Sequence, residues 1–276
     1  MMVEFYKLSG SGNDFIFIDN MDRALEVGDL AAFAKAVCAR QVSVGADGLI
    51  IIEPSDKVDF RWRFFNADGS EAAMCGNGGR CAARFALLRG IAGARMSFET
   101  MAGIIDAEVK NDVAKIHLTA PHSLMMDDQI RIGTGDIAVH SVDTGVPHVI
   151  HFIDDIDQFD VFHTGREIRR HTHYQPAGAN ANFVLVVDDH TLRVRTYERG
   201  VEDETLACGT GSVASALIAA RKGFVRSPVA VHVQSGEILT IYFKKTDDGF
   251  TDVYLEGKVT VVYQGKLWDE AWKKGE

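Results

Sequence analysis

Two cysteines stand in matching surroundings. Cys75 opens CGNGGRCAARFALLRG and Cys208 opens CGTGSVASALIAARKG. Gly90 follows Cys75 at the distance at which Gly223 follows Cys208, and Gly103 and Gly236 repeat the match further on. The run behind each cysteine is small and apolar nearly all round, the pattern of a buried helix. Helices are expected over 79–89 and 212–222. Gly90 and Gly223 then take the C-terminal glycine position, with Arg89, or Arg221 and Lys222, against the negative end of the dipole. A thiol just ahead of a helix meets unpaired N–H groups and about half a positive charge. Its pKa falls, and part of it is thiolate near neutrality. The same turns, with glycines at Gly76, Gly78, Gly209 and Gly211, offer backbone N–H groups to a carboxylate. A thiolate beside a bound carboxylate is placed to take a proton from the adjoining carbon. Two related lobes facing each other across one cleft would set Cys75 and Cys208 on opposite sides of an amino-acid α-carbon. One removes a proton, the other delivers one, and reversal exchanges their roles.

The period of the repeat is that of a domain, not of a solenoid. The expected organisation is a first lobe over 1–119 carrying Cys75, joined by the tail 264–276, and a second over 120–263 carrying Cys208. Each is read as a central helix wrapped by strands. FIFIDN, GLIIIE, FRWRFF, AKIHLT, NFVLVVD, LRVRTYE, AVHVQ, LTIYF and KVTVVYQ have the β-branched and aromatic content of strands. Residues 28–40 read as a further helix, and TAPHSLMMDDQIRI, with Pro121, as the link between the halves.

Composition narrows the function classes. The 276 residues are 46% hydrophobic and 25% charged, the balance of a globular protein. A net charge of −10 disfavours phosphate backbones, so no nucleic-acid partner is expected. No apolar run is long enough to span a bilayer, and MMVEFYKLSG lacks the form of a secretory signal, so no membrane partner and a cytoplasmic location are expected. Four cysteines do not make a disulfide scaffold. Cys38 and Cys81 read as packing residues, and His171 with His173 as a solvated HxH. No CxxC pair and no GxxxxGK[ST] is present, so neither a metal site nor a nucleotide P-loop is expected. A non-catalytic carboxylate-binding protein and a thiol redox sensor are the competing classes.

The segments SGSGNDFIFID, VGADGLII, FFNADGSEAAMCGNGGRCAARF, GVPHV, GANANFV and YERGVEDETLACGTGSVASA together resemble the diaminopimelate epimerase family. Proline racemases and hydroxyproline epimerases share the two-cysteine design but differ around it. The resemblance implies an α/β fold of two pseudo-symmetric lobes, each a mixed sheet around a central helix, usually in a homodimer. It implies a cofactor-free isomerase of lysine and peptidoglycan biosynthesis, interconverting LL- and meso-diaminopimelate. Carried over residue by residue, it makes Cys75 and Cys208 the acid–base pair and puts the reacting carboxylate on the backbone at Gly76, Asn77, Gly209 and Thr210. Asn13, Asn66, Asn180, Glu198 and Arg199 would hold the non-reacting centre, and His148 with Glu198 would tune the thiols. Two positions depart from the family pattern: Val146 where many members carry Asn, and Gly48 where some carry Gln.

Overall fold

The computed structural model describes residues 2–273. In chain order the elements are β1 (Val3–Gly10), β2 (Asn13–Asp19), α1 (Leu30–Val37), β3 (Gly48–Glu53), β4 (Phe60–Asn66), α2 (Gly76–Arg89), β5 (Arg95–Thr100), β6 (Gly103–Lys110) and β7 (Val113–His117). There follow β8 (His122–Ile132), β9 (Gly135–Asp143), β10 (Pro147–Phe152), α3 (Val161–Arg170), β11 (Asn180–Asp188), β12 (Thr191–Glu198) and β13 (Asp203–Thr205). The last are α4 (Gly209–Lys222), β14 (Val229–His232), β15 (Ile238–Lys245), β16 (Phe250–Lys258) and β17 (Thr260–Leu267). No helix among the described residues is long and apolar enough to cross a membrane.

The chain divides into two compact units. The first runs to Ile116 and resumes at Gly257; the second is His117–Glu256. The resumption lies ahead of residue 264 because the whole of β17 pairs with β1. Within the first unit, β17, β1 and β2 are antiparallel, β2 and β3 parallel, β3 and β4 antiparallel, β4 and β5 parallel, and β5, β6 and β7 antiparallel. In the second unit β8, β9 and β10 are antiparallel, β10 and β11 parallel, β11 and β12 antiparallel, β12 and β14 parallel, and β14, β15 and β16 antiparallel. The two sequences of pairings are the same, strand for strand, with β13 added beside β12. The repeat seen around the cysteines therefore extends to two copies of one mixed α/β architecture.

In each copy the helix behind the cysteine is the core. Helix α2 packs on β1, β2, β3 and β6, and its Phe85 ring lies 5.2 Å from Tyr6 and 5.1 Å from Phe17. Helix α4 packs on β9, β10, β11, β12, β14 and β15, with Val213, Ala214, Ala216, Leu217, Ile218 and Ala219 fully buried. Such helices draw their stability from burial on all sides, not from an amphipathic stripe. The opposite faces of the sheets carry smaller cores. Helix α1 seats Phe33 and Val37 on Leu49 and Ile51, joined by Leu267 and Trp272 of the tail. Helix α3 seats Val161 and Ile168 on Phe183 and Tyr197. Strand β3 is covered on both faces, which is why GLIIIE has no polar alternation.

Three sequence expectations need correction. The stretch TAPHSLMMDDQIRI is not a linker: from His122 it forms β8, whose polar outer residues and two register shifts against β9 hide the alternation of a strand. The helix over 28–40 is shorter, from Leu30 to Val37, because Asp29 caps it by accepting from the Ala32 N–H. The two core helices start earlier than residues 79 and 212, directly behind the cysteines.

Truncation should separate core from surface. Leu217→Ala, at a fully buried site, should cost about 2–5 kcal/mol in urea unfolding. Val262→Ala, at a side chain 52% exposed, should change stability by less than about 0.5 kcal/mol. Similar losses at the two sites would contradict this account of the core.

Candidate active site

Cys75 is the N-cap of α2, in extended backbone conformation at φ −146° and ψ 121°. Its Sγ accepts from the Gly78 N–H at 3.4 Å, and its carbonyl accepts from the Gly79 N–H at 2.8 Å. The glycine-rich segment is therefore the first helical turn and not a loop ahead of it. The sheet lies close there: a Cβ on Gly78 would sit 3.2 Å from Ile50 Cδ1, a tight fit that glycine relieves. The Asn77 side chain is buried and donates through Nδ2 to Asn13 Oδ1 at 2.7 Å. Its Oδ1 accepts from Arg80 Nη2 at 2.6 Å. Arg80, fully buried, also donates to Ser11 Oγ at 2.9 Å and to the Lys258 carbonyl at 3.0 Å. Asn13 donates in turn to Asp47 Oδ2 at 3.0 Å. Beside it, burial would push the Asp14 carboxyl up, but Arg40 and Lys7 hold it below the usual carboxylate range.

The first unit thus brings Cys75, Gly76, Asn77 and Asn13 together around one helix end. Asn66 closes β4 opposite Gly48, and its amide donates to Ser70 Oγ at 3.0 Å, within its own turn. The Gly48 departure has a steric cause. A Cβ there would sit 2.6 Å from the Phe64 ring and 2.7 Å from the Phe65 carbonyl oxygen.

Cys208 is the N-cap of α4, at φ −117° and ψ 112°, and only 6% exposed. Its carbonyl accepts from the Ser212 N–H and Oγ, each at 2.9 Å. Its Sγ lies 3.6 Å from Thr210 Oγ1. Thr210 Oγ1 is 2.9 Å from His148 Nε2, and the other ring nitrogen of His148 is 3.1 Å from Asn182 Nδ2. His148 has no solvent exposure; burial, aided by the positive charge of Arg199, pushes its pKa down to about 3, so the imidazole is neutral at physiological pH. Asn180 lies beside His148 in the parallel β10–β11 pair, and its Oδ1 accepts from the Arg199 N–H at 2.8 Å. The Arg199 guanidinium donates to the carbonyls of Ala177 and Gly178 at 3.1 and 3.4 Å. Glu198 Oε2 accepts from Thr205 Oγ1 at 3.1 Å. Gly209 opens α4 and is buried. His148, Thr210 and Cys208 form one connected group, and Asn180 with Arg199 a neighbouring one.

The remaining cysteines and histidines take other places. Cys38 belongs to the core under α1, where burial pushes its thiol up to about 12, and Cys81 is buried within α2. His173 pairs with Asp128 at 3.1 Å, and His171 accepts from the His173 N–H. Among the described residues no group of three or more His, Cys, Asp or Glu is arranged to hold a metal ion. Sequence reasoning missed Arg80, Asn182 and Thr196. Asn182 was open to detection, since it follows Asn180 at the two-residue spacing that puts side chains on one face of a strand.

A phenazine biosynthesis protein of the PhzF family from Bacillus anthracis superposes with a TM-score of 0.76 at 17% identity, over 97% of this chain and 99% of its own. A probable proline racemase from Agrobacterium radiobacter K84 gives 0.73 at 13% identity, over 96% and 93%. The architecture is therefore the duplicated one shared by PhzF proteins and proline racemases. Sequence comparison is narrower. A family model for diaminopimelate epimerase matches residues 5–128 and 140–262. The diaminopimelate epimerase of Aquifex aeolicus is 46% identical over 97% of this chain and 99% of its own. That of Chlorobaculum tepidum is 43% identical over 94% and 99%. The chain belongs to the diaminopimelate epimerase family.

Two measurements check the local chemistry. His148 is depressed from 6.5 to about 3, so the unfolded chain binds a proton that the folded one refuses between those values. Stability should be unaffected by His148 above pH 6.5 and should fall by a few kcal/mol as pH drops toward about 3. Thermal unfolding of His148→Gln should show a flatter acid limb; parallel limbs would mean that His148 is not held neutral. Gly48→Gln should lower stability by about 1–3 kcal/mol through overpacking, and a neutral effect would show that Phe64 and Phe65 yield.

Proposed function

We propose that this chain epimerises 2,6-diaminopimelate between its LL and meso forms, as an isomerase of lysine and peptidoglycan biosynthesis, using Cys75 and Cys208 as its two acid–base groups. The observation that carries the reading is the pair of cysteines, each the N-cap of a buried core helix, in a chain of this family. The thiolate of one takes the α-proton. The C–H electron pair moves toward the carboxylate, and the thiol of the other gives its proton to the opposite face of the carbon. The enzyme ends each turnover with the proton on the other sulfur.

An α-hydrogen beside a carboxylate is a very weak acid, so the carboxylate must be held by donors that strengthen as charge develops. The backbone N–H groups of Gly76, Asn77, Gly209 and Thr210 lie in the first turns, where no intrahelical acceptor serves them. Each donor aimed at developing charge contributes roughly 3 kcal/mol, against about 0.3–2 kcal/mol from a helix terminus acting on a thiolate. Oriented donors are therefore the larger effect. Asn13, Asn66, Asn180, Glu198 and Arg199 are assigned to the distal amino-acid end, with Arg199 suited to a two-bond grip on a carboxylate. His148, neutral, acts on the Cys208 thiol as a hydrogen-bonding partner through Thr210, with Glu198 as the second modulator. Both thiols share one proton and titrate as a coupled pair. The same reading makes the protein a cytoplasmic homodimer without a cofactor, metal, nucleic-acid or membrane partner.

Incubation of LL-diaminopimelate with the reduced protein in D₂O should place deuterium at one α-carbon as meso product appears; absence of exchange by folded, reduced protein would reject the assignment. Cys75→Ala and Cys208→Ala should each lower epimerisation by at least about a thousandfold, on the scale of a lost oriented acid–base group. Turnover near the wild-type rate in either variant would remove that residue from the reaction.

A further inference from the structure

Along one row of strand positions the two copies bury opposite chemistry. In the first unit the parallel pair begins Phe15 opposite Gly48, and Ile50 lies opposite Phe64. In the second it begins His148 opposite Asn180, and Asn182 lies opposite Thr196. The equivalence of Ile50 and Asn182 has independent support from the helices. Gly78, third after Cys75, approaches Ile50 Cδ1, and Gly211, third after Cys208, would bring a Cβ within 2.3 Å of Asn182 Oδ1. Where one copy buries Phe15, Ile50 and Phe64, the other buries His148, Asn182 and Thr196. The fold is built either way, so it does not demand the polar row. Burying three polar side chains is costlier than burying hydrocarbon of like size unless every group is paired.

Here they are paired, and the pairing has a direction. Asn182 Nδ2 lies 3.0 Å from the Val149 carbonyl oxygen, which can only accept. That contact fixes the amide: turning it over would bring two oxygens together. Asn182 Oδ1 accepts from Thr196 Oγ1 at 3.0 Å. The second Nδ2 hydrogen is then aimed at His148 Nδ1, which must be the unprotonated nitrogen. The ring proton is on Nε2 and is donated to Thr210 Oγ1. With its oxygen accepting, Thr210 has its own hydrogen to offer the Cys208 sulfur. Reversal of the amide would instead put a proton on Nδ1, and the Val149 carbonyl forbids it.

We propose that Asn182 is a positioning residue for Cys208: it locks His148 in the Nε2–H tautomer, so that donors run from Asn182 through His148 and Thr210 to the sulfur and favour its thiolate form. The proposal rests on the assignment of Cys208 as an acid–base group, but its tests do not require turnover. Nitrogen NMR of histidine-labelled wild-type protein should show His148 neutral and protonated on Nε2 near neutral pH; an Nδ1–H or doubly protonated ring would overturn the proposal without any variant. In a Cys75→Ser background, Cys208 can be followed by ultraviolet thiolate absorbance and by its alkylation rate. Asn182→Ile, the residue of the first unit, should raise its apparent pKa by about one unit and slow alkylation near neutrality about tenfold. Thr210→Val should do the same, and Thr210→Ser should restore the wild-type values. With both cysteines present, Asn182→Ile should lower kcat with KM little changed. An unchanged Cys208 titration in folded Asn182→Ile would refute the role. A shifted titration in a protein that never exchanges the α-proton would leave this relay standing and reject the epimerase reading instead.

Discussion

Everything at the site depends on a sulfur atom set at the start of a helix whose first turns are enclosed by the sheet. The helix must be buried to hold its axis, and it must be small-residued to be buried. Its first turn is glycine-rich where the sheet lies against it: Gly211 has no room for a Cβ beside Asn182, and Gly78 only a tight fit beside Ile50. Those same glycines open the first-turn N–H groups to a ligand. Packing and chemistry therefore make one demand on the CGxG segments, which explains why the motif is short and recurs unaltered in length.

The two ends are equivalent in topology and unlike in electrostatics. Cys75 takes a backbone N–H from Gly78 and is braced through Asn77 by a fully buried arginine that reaches Ser11 and Lys258. Cys208 has no such side-chain cap and instead meets the hydroxyl of Thr210, behind which stands a neutral histidine. Under the roles proposed for the two cysteines, a reaction with unlike substrates on its two sides, an LL and a meso isomer, has no need of identical acid–base groups. Part of the divergence lies where the copies exchange apolar for polar residues in register, on β2, β3 and β4 against β10, β11 and β12.

Much of this was legible in the residues. The duplicated cysteine with its matched glycines located both core helices, their C-terminal caps and the repeat, because buried helices and left-handed glycine caps have strong local signatures. The sequence pattern sets the helix starts too late, since Gly-Asn-Gly and Gly-Thr-Gly carry turn propensity that only packing against the sheet overrides. Strand β8 was hidden by its solvent-facing Met, Asp and Gln residues, and α3 by a polar sequence that seats only Val161, Gly165 and Ile168 against the sheet. The His148–Asn182–Thr196 row was not legible at all as a unit. Its members are far apart in the chain, and asparagine and threonine in strands have no intrinsic mark of burial; strand register alone unites them.

The return of β17 to the edge of the first sheet has a consequence for biogenesis. The segment with Cys75 and its helix is made before β17, so its sheet lacks an edge strand and the packing of Leu267 and Trp272 until that later segment is made. The inserted unit is contiguous and has all its strands earlier. The leading half therefore has its full set of strands only after the inserted unit does, and the β1 edge is open until β17 pairs with it.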